Sequence, residues 1–496
     1  MPTRLIQISN AKLVQPSAPV PYIALSYCWG TEPPPRTTSS NLDQFLRSID
    51  IETLPPLFRD VISIARRFEI NYLWIDSLCI VQNDENDWQT QFPLMASTYE
   101  GAQLVIAAAS AADCYRSLFP AQRPEPINLE FSFDRTSAPI RVRRVPAVGL
   151  HEDYESYFSE RDPLDKRSWP LQERLLATRL LVFSATELQW SCKTESKCEA
   201  GHSSSAYRLS RSLYSLQPHA AFGFWHEQVM EYSKRRLGYP KDKLPALAGI
   251  ASKIQKLTGS EYVAGLWRQN LLKDMLWERH IFESLKWEAT EVWRAPSFSW
   301  ASVEGNIFYG EAGSAHNATY VSDVLDVECT AKLESSPFGE VLDGFVRLST
   351  PLIEATISST NCNCCDGLYH VEHGNWIIRL RSDTCLRQGL MPENSTGQSE
   401  NTAYRTQEGN RNLIDRAKVW VAIAAYWYEH ASHGSVTMWV TCLILGRSQR
   451  DAEGFERLGH NNQPWPPAEC SLSEEEFKRI ESFIYGRAEK TEIKIY

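Results

Sequence analysis

The chain has 496 residues, too many for one ordinary hydrophobic core, so we expect two or three domains. Hydrophobic residues make up 43% of the chain and charged residues 23%, which is the usual balance of a globular protein. The net charge of −10 argues against a general nucleic-acid binder, because no basic excess exists to neutralise phosphates.

The first residues of the sequence contain no long apolar core and no small-residue cleavage site, so we expect no signal peptide. No uninterrupted apolar run approaches the roughly 18 residues of a membrane helix, so we expect no membrane span. These patterns favour a cytoplasmic protein, in which the 12 cysteines stay reduced.

The first helix and strand patterns follow each other closely. Residues 22–28 predict a strand that ends at Trp29. From Leu54 onward, apolar residues recur with the three- and four-residue spacing of an amphipathic helix. Two prolines, Pro55 and Pro56, suit the first turn of that helix.

A second strand and helix come next. The nearly continuous apolar run 72–81 predicts a strand buried on both faces. Asp84 can cap the helix after it, and residues 104–109 predict a third strand. The alternation predicts a doubly wound parallel sheet in the front domain. Ligands bind outside the carboxyl ends of such strands, where residues 26–29 and 76–82 lie.

The rest of the chain changes character twice. Residues 205–290 have mainly helical patterns, whereas short β-type runs dominate from about 320 to 450. The polar stretch 386–416 predicts a mobile loop. Ser473 and Glu476 fit a capping box before a last helix.

These changes divide the chain into three predicted parts. Residues 1–205 form the front α/β domain, with its core at 20–200. Residues 206–310 form a helical segment, and residues 311–496 form a β-rich C-terminal domain with a terminal helix.

Three sequence blocks place Trp, Cys and polar residues beside apolar segments: 22–30 (YIALSYCWG), 72–80 (YLWIDSLCI) and 167–174 (RSWPLQER). In this order they resemble the heterokaryon incompatibility domain of filamentous fungi, over roughly residues 20–200. A second set of marks extends the resemblance to fungal proteins that carry this domain at the front of a longer chain. That set comprises 242–247 (DKLPAL), 265–267 (GLW) and 296–302 (PSFSWAS).

The resemblance implies a fungal, intracellular protein that acts in nonself recognition and leads to growth arrest or programmed cell death. It also implies a flavodoxin-like front domain with a distant similarity to Toll/interleukin-receptor-type domains. Some members of that group cleave NAD with a glutamate on a helix. The corresponding position here is Gln91, which cannot act as a carboxylate and weakens that interpretation. A shift of one turn would bring Glu85 or Glu100 to this place.

The candidate pocket combines the polar residues of the three blocks with the second helix. It consists of Ser26, Tyr27, Trp29, Asp76, Cys79, Gln82, Gln91, Trp169, Gln172, Glu173 and Arg174. Asp76 and Glu173 are the catalytic candidates, although for both the sequence favours a purely structural role. Cys28 and Cys79 fit core positions better than a nucleophile, because no histidine is near them in sequence.

No cofactor or metal is predicted. Cys192, Cys198 and His202 do not have the spacing of a zinc site, and the group 362–370 (CNCCDGLYH) lacks a second cysteine pair nearby. No phosphate-binding loop motif with Gly-Lys-Ser or Gly-Lys-Thr occurs.

Two functions remain open on the sequence. The first is a signalling protein of heterokaryon incompatibility with protein partners, self-association among them. The alternative is an enzyme of the same fold that cleaves a nucleotide such as NAD or modifies a small secondary metabolite. If Glu173 and Asp76 face each other at about 6–9 Å, acid–base chemistry gains support. If arginines lock both carboxylates, signalling gains support.

Overall fold

The computed structural model of the protein describes residues 1–119, 127–133, 136–142, 161–199, 213–279, 293–310, 318–359, 368–382, 385–390, 401–406, 414, 416–430, 436–451, 453–465, 473–485 and 488–496. The chain forms two compact units. The first comprises residues 1–217 with 235–237, and the second comprises 218–234 with 238–496. The division into three domains at 205 and 310 stays a prediction.

The first unit is an α/β structure. Its described strands are β1 (Leu5–Gln7), β2 (Lys12–Val14), β3 (Ile23–Ser26), β4 (Tyr72–Trp74), β5 (Leu104–Ala107), β6 (Ile127–Phe133), β7 (Thr136–Val142), β8 (Arg179–Phe183), β9 (Leu188–Cys192) and β10 (Ser196–Cys198). Its described helices are α1 (Leu42–Arg47), α2 (Pro56–Arg67), α3 (Asp76–Cys79), α4 (Glu85–Gln91), α5 (Met95–Gly101) and α6 (Trp169–Leu176).

Eight of the described strands of this unit form one sheet, in the order β10-β9-β8-β5-β3-β4-β1-β2. The predicted parallel pairing is confirmed in the centre, where β8, β5, β3 and β4 are parallel neighbours. It is wrong at both edges, where β1 joins β4 and β9 joins β8 in antiparallel pairs. Short turns connect the antiparallel pairs β1–β2, β8–β9 and β9–β10 at these edges, whereas β1 and β4 pair although they are far apart in the chain.

Helix α2 forms as the apolar spacing predicts. It begins with Pro56 in its first turn, and its buried face consists of Leu57, Phe58, Val61, Ile62 and Ala65. Asp84 caps α4, and its carboxylate accepts hydrogen bonds from the backbone N–H groups of Asn86 and Asp87.

The single strand predicted over residues 72–81 is wrong in its second half. Strand β4 ends at Trp74, and the chain turns at once into the short helix α3. The Asp76 Oδ1 atom accepts a 2.7 Å hydrogen bond from the backbone N–H of Ser77. Such a local bond competes with strand pairing, and it turns an apolar run out of the sheet.

The second unit contains the β-rich part of the chain. Its described helices are α7 (Ala221–Ser233), α8 (Ala248–Thr258), α9 (Leu271–Asp274) and α10 (Glu474–Ile484). Its described strands are β11 (Tyr262–Val263), β12 (Leu266–Trp267), β13 (Trp277–Arg279), β14 (Ile307–Tyr309), β15 (Thr319–Tyr320), β16 (Asp323–Ala331), β17 (Val341–Thr350), β18 (Leu352–Ser359), β19 (Leu368–His373), β20 (Trp376–Ser382), β21 (Cys385–Leu390), β22 (Asn401–Thr406), β23 (Ala417–His430), β24 (Val436–Arg447), β25 (Phe455–Trp465) and β26 (Thr491–Ile495).

Twelve of these described strands, β15–β26, belong to one sheet. The capping box of Ser473 and Glu476 opens α10, as predicted. The mobile loop predicted over 386–416 is wrong where β21 and β22 pair with each other in this stretch. The Thr402 hydroxyl donates to the carbonyl oxygen of Lys418, which ties β22 to β23. The other residues of that stretch, apart from Ile414 and Arg416, lie outside the described residues.

Candidate functional site

The three sequence blocks meet in the first unit, beyond the carboxyl ends of β3 and β4. Trp29 follows β3, and its Nε1–H donates a 2.8 Å hydrogen bond to Oδ2 of Asp76, which follows β4. Arg167, at the start of the third block, donates a 2.7 Å hydrogen bond from Nη1 to the carbonyl oxygen of Tyr27. Side chains therefore link the first block to both of the others.

Asp76 lies at the centre of these contacts. Its carboxylate accepts from Trp29 and from the Ser77 N–H, and it is partly exposed. Burial among protein atoms raises its pKa, against the lowering effects of those two hydrogen bonds and of the Arg167 charge. An acid that is poorly hydrated but still reachable by solvent can exchange a proton with a bound molecule.

Glu173 is the second acid of the site. It projects from α6, and its side chain is buried, with 7% of the residue surface exposed. Burial raises its pKa to about 7, and the negative charge of Asp76 acts in the same direction. Ser26, Arg167 and Tyr99 lower the pKa of this group. Glu173 therefore holds a proton to higher pH than an ordinary glutamate.

One arginine influences both acids without locking either of them. The Arg167 charge lowers the pKa of Asp76 and that of Glu173. Among the described residues, no ion pair within 4.0 Å joins Arg167 to either carboxylate. Its direct hydrogen bond goes to a backbone carbonyl, so the two acids share the arginine only through their longer-range electrostatic interaction.

The floor of the site is formed by hydroxyl groups. Ser26 is buried, and its Oγ has no hydrogen bond of full geometry among the described residues, although it lies near enough to lower the pKa of Glu173. The Tyr27 hydroxyl donates a 2.9 Å bond to Ser77 Oγ, and the Tyr99 hydroxyl donates a 3.3 Å bond to the carbonyl oxygen of Leu25. Two acids and several hydroxyls at one end of a sheet form an arrangement suited to proton transfer.

Residues 22–173 match the family model described as "Heterokaryon incompatibility protein (HET)". We refer to this segment as the HET region. The match includes the first two blocks and the third as far as Glu173, and it supports the resemblance predicted from them. No curated protein and no solved structure matches the chain.

Several predicted residues of the HET region face elsewhere. Cys79 is buried and its pKa is raised to about 12 by burial, so its thiol is not activated. Burial likewise raises the pKa of Cys28 to about 11, although Arg167 opposes this shift. Gln91 is buried and donates from Nε2 to the Thr3 hydroxyl at 2.9 Å. That contact places Gln91 against the N-terminal segment.

The other predicted residues support the site from its sides. The Gln82 amide donates to the backbone carbonyl oxygens of Asp76 and Ile80, at 3.0 and 3.1 Å, so it holds the turn of α3. Trp169 packs edge-on against Phe92 with ring centroids 5.6 Å apart. Gln172 is buried on α6.

Arg174, the helical neighbour of Glu173, points to a different partner. Its Nη1 lies 2.5 Å from Oδ1 of Asp165. Neighbouring helix residues project about 100° apart, so one can face the site while the other forms an ion pair outside it.

The prediction missed three residues that shape this site. Arg167 and Tyr99 influence Glu173 directly, and Arg167 could have been chosen because it opens the third block. Arg4 is buried, donates from Nε to the carbonyl oxygen of Cys79 at 2.8 Å, and pairs with Asp87. No local sequence signal indicates Arg4, because its partners lie more than 70 residues away.

Within the described residues, no group of three or more His, Cys, Asp and Glu side chains could hold a metal ion. Cys192 and Cys198 lie on β9 and β10, while His202 and the cysteines of 362–365 lie outside the described residues. No described helix has the length and apolarity needed to cross a membrane.

Proposed function

We propose that this protein acts in fungal heterokaryon incompatibility, inside the cell, where it recognises nonself and leads to growth arrest or cell death. The observation that carries the proposal is the family match of residues 22–173. The segment contains most of the three blocks, and these blocks meet at one end of the sheet through Trp29, Asp76 and Arg167. In this proposal the HET region signals through protein partners, self-association among them.

A finer interpretation of the fold supports a ligand at this end of the sheet. Numbered along the chain, the four central parallel strands β3, β4, β5 and β8 lie in the spatial order 2-1-3-4. This is the start of the flavodoxin-like order, in which ligands bind at the carboxyl ends where the strand order reverses. We propose a flavodoxin-like core on this basis, related to Toll/interleukin-receptor-type domains.

The second candidate function is enzymatic, with cleavage of a nucleotide such as NAD as the reaction. The observation that favours it is the interaction of Asp76 with Glu173, whose pKa is raised to about 7. Two acids with different environments can divide the work of cleavage. The ionised acid stabilises the positive charge that develops on the ribose as the pyridinium ring leaves as neutral nicotinamide, and the other acid, in its carboxylate form, takes the proton from the attacking water.

The test of the first function is growth. The full chain would be expressed from an inducible promoter in a filamentous fungus, together with Glu173→Gln and Asp76→Asn. Growth arrest by the wild type is expected, with loss of arrest in both variants if the acids are needed. The matched control is Glu52→Gln, which removes an exposed acid of the first unit. Absence of arrest across a panel of genetically different strains would overturn the proposal.

The test of the enzymatic candidate is turnover by the purified full chain. Release of nicotinamide from NAD would be followed for wild type, Glu173→Gln and the control Glu52→Gln. Activity that depends on Glu173 but not on Glu52 supports cleavage. An inert wild type that still arrests growth assigns the protein to signalling without this chemistry.

A further inference from the structure

A second cluster of charged side chains lies in the second unit, outside the HET region. It consists of Lys243, Arg294 and Glu304, and we name it the Lys243 cluster. The Lys243 Nζ atom lies 3.2 Å from Oε2 of Glu304, and Arg294 Nη1 pairs with Oε1 of the same carboxylate. Lys243 belongs to the sequence mark 242–247, and Arg294 lies just before the mark 296–302. The fold therefore brings these two marks together around one acid.

The contact with Glu304 involves only part of the Arg294 guanidinium group. Its side chain is 4% exposed, and its Nη1 group bonds to Glu304. Its Nε and Nη2 groups are buried and have no hydrogen-bond partner among the described residues. These two N–H groups form the edge of a guanidinium that binds two oxygens of a carboxylate or phosphate side by side.

The two buried N–H groups of Arg294 that have no acceptor among the described residues need a physical explanation. A buried donor left without an acceptor costs about 1–3 kcal/mol, and more when the donor is charged. Most such groups in native proteins are satisfied by protein, water or an ion. A purely structural ion pair would be stronger if Glu304 used this edge with both oxygens. Instead Glu304 contacts both cations, and the Nε and Nη2 groups of Arg294 have no acceptor in the described part of the chain.

The surroundings of the cluster are positive. Burial lowers the pKa of Lys243 to about 8, and the charges of Arg294 and Arg279 act in the same direction while Glu304 opposes them. Arg279 packs against Gly305, because a Cβ atom at Gly305 would lie 2.7 Å from Arg279 Nε. Glu304 has a side-chain exposure of 33%, so the cluster reaches solvent through this residue.

We propose that Lys243 and Arg294 form a binding site for a compact oxyanion, namely the carboxylate or phosphate group of a small molecule. The oxyanion binds the Nε–Nη2 edge of Arg294 and is attracted by the Lys243 ammonium group. Glu304 keeps the two cations together when no ligand is present. Because the edge is buried in this conformation, the Glu304 side chain moves aside on binding. This site is separate from the carboxylate pair of the HET region.

The test is isothermal titration calorimetry on the full chain, with sodium phosphate and sodium acetate as probes. Sodium chloride at matched ionic strength is the control titrant. Saturable binding of phosphate, acetate or both is expected, with none for chloride. A response to phosphate alone assigns a phosphate ligand, and a response to acetate alone assigns a carboxylate.

Two variants test the role of the edge. Arg294→Lys keeps the charge but removes the paired N–H groups, so we expect at least a tenfold loss of affinity. The matched control Arg450→Lys alters an exposed arginine of the same unit, which pairs with Asp343 at 2.9 Å, and should bind as wild type. Retention of wild-type affinity by Arg294→Lys would overturn the proposal, as would absence of saturable binding of either oxyanion.

A third variant tests the site without changing Arg294. Glu304→Gln keeps both cations and removes the internal carboxylate that competes with the ligand. We expect its affinity for the responding oxyanion to rise at least threefold. An unchanged or lower affinity in a folded Glu304→Gln protein contradicts the proposed site.

Discussion

Glu173 in the HET region and Glu304 in the second unit both lie in poorly hydrated places, yet their pKa values move in opposite directions. Burial raises the pKa of Glu173 to about 7, with Asp76 adding to the shift. At Glu304 burial acts in the same sense, but the charges of Lys243 and Arg294 outweigh it and lower the pKa. The difference is contact with a cation. Glu304 pairs directly with Lys243 and Arg294, whereas no ion pair of Glu173 is found among the described residues and the Arg167 charge acts on it from farther away.

The largest expected effect comes from breaking the pairing at Glu304. Glu304→Gln leaves Lys243 and Arg294 buried without their acid, and we expect a loss of about 3 kcal/mol in local stability of the second unit. Hydrogen exchange of peptides from β13 and β14 in chloride buffer measures it. The control Glu340→Gln breaks an exposed 2.9 Å pair with Lys332 and should cost less than about 1 kcal/mol. Equal losses of local stability in Glu304→Gln and Glu340→Gln would show that the buried pairs of Glu304 stabilise the unit no more than an exposed pair does.

At Glu173 the expected effect has the opposite sign, because removing the acid should stabilise the first unit above neutral pH. Its pKa is raised to about 7 from a usual 4.5, so the folded chain holds this proton more tightly than the unfolded chain. Stability therefore falls as pH rises from about 4.5 to 7, by up to about 3 kcal/mol at 1.36 kcal/mol per pKa unit. Glu173→Gln should flatten this slope and be more stable than wild type at pH 8, as hydrogen exchange of β3 and α6 peptides can show.

At Glu304 the dependence of stability on pH has the opposite sign. Its pKa is lowered in the folded chain, so its stabilisation is present above the unfolded pKa and is lost as pH falls through the folded one. The two units should thus lose stability at opposite ends of the acidic range. A single common pH profile for peptides of both units would contradict the assignment of these two acids.

Backbone strain gives a smaller and purely geometric comparison. Gly30 ends the first block with φ at +79°, and a Cβ there would lie 2.5 Å from Asp113 Cβ. Gly259 in the second unit has φ at +69° with nothing within 4 Å. Both alanine variants bear the left-handed strain of about 1 kcal/mol, and Gly30→Ala adds the clash, for a total of about 2 kcal/mol. Similar losses of local stability by hydrogen exchange would show that the Asp113 contact relaxes.

Local patterns predicted much of the first unit, and contacts between distant residues decided the rest. The spacing of α2 and the cap at Asp84 are properties of neighbouring residues, so the sequence alone predicts them. The turn at Asp76 interrupts an apolar run that would otherwise predict a strand. The Asp76 carboxylate accepts a hydrogen bond from Trp29, which is 47 residues away in the sequence. The pairing of β21 with β22 likewise replaces a polar stretch that predicts a loop.

The candidate site shows the same division. The sequence places Trp29 at the end of a predicted strand and Asp76 in the stretch 76–82 expected at the carboxyl ends of the sheet. Glu173 is connected with that place only through the third block. Which side chain faces the site is a matter of helix phase and of long-range partners. Glu173 faces inward while its neighbour Arg174 pairs with Asp165, and sequence neighbours cannot be separated in this way without the structure.

Arg167 offers the sharpest test of the difference between a distant and a contacting cation. Its charge lowers the pKa of both Asp76 and Glu173, so Arg167→Met should move the Glu173 titration to higher pH. The matched control is Arg174→Met, whose guanidinium pairs with Asp165 and should leave the Glu173 midpoint in place. Infrared difference spectra of the carboxyl band, assigned by its absence in Glu173→Gln, follow the midpoint directly. If Arg167→Met leaves the midpoint unchanged, the Arg167 charge does not set the proton affinity of Glu173, which then depends on burial, Ser26, Asp76 and Tyr99. The contrast with Glu304 would then rest entirely on the ion pair in the second unit.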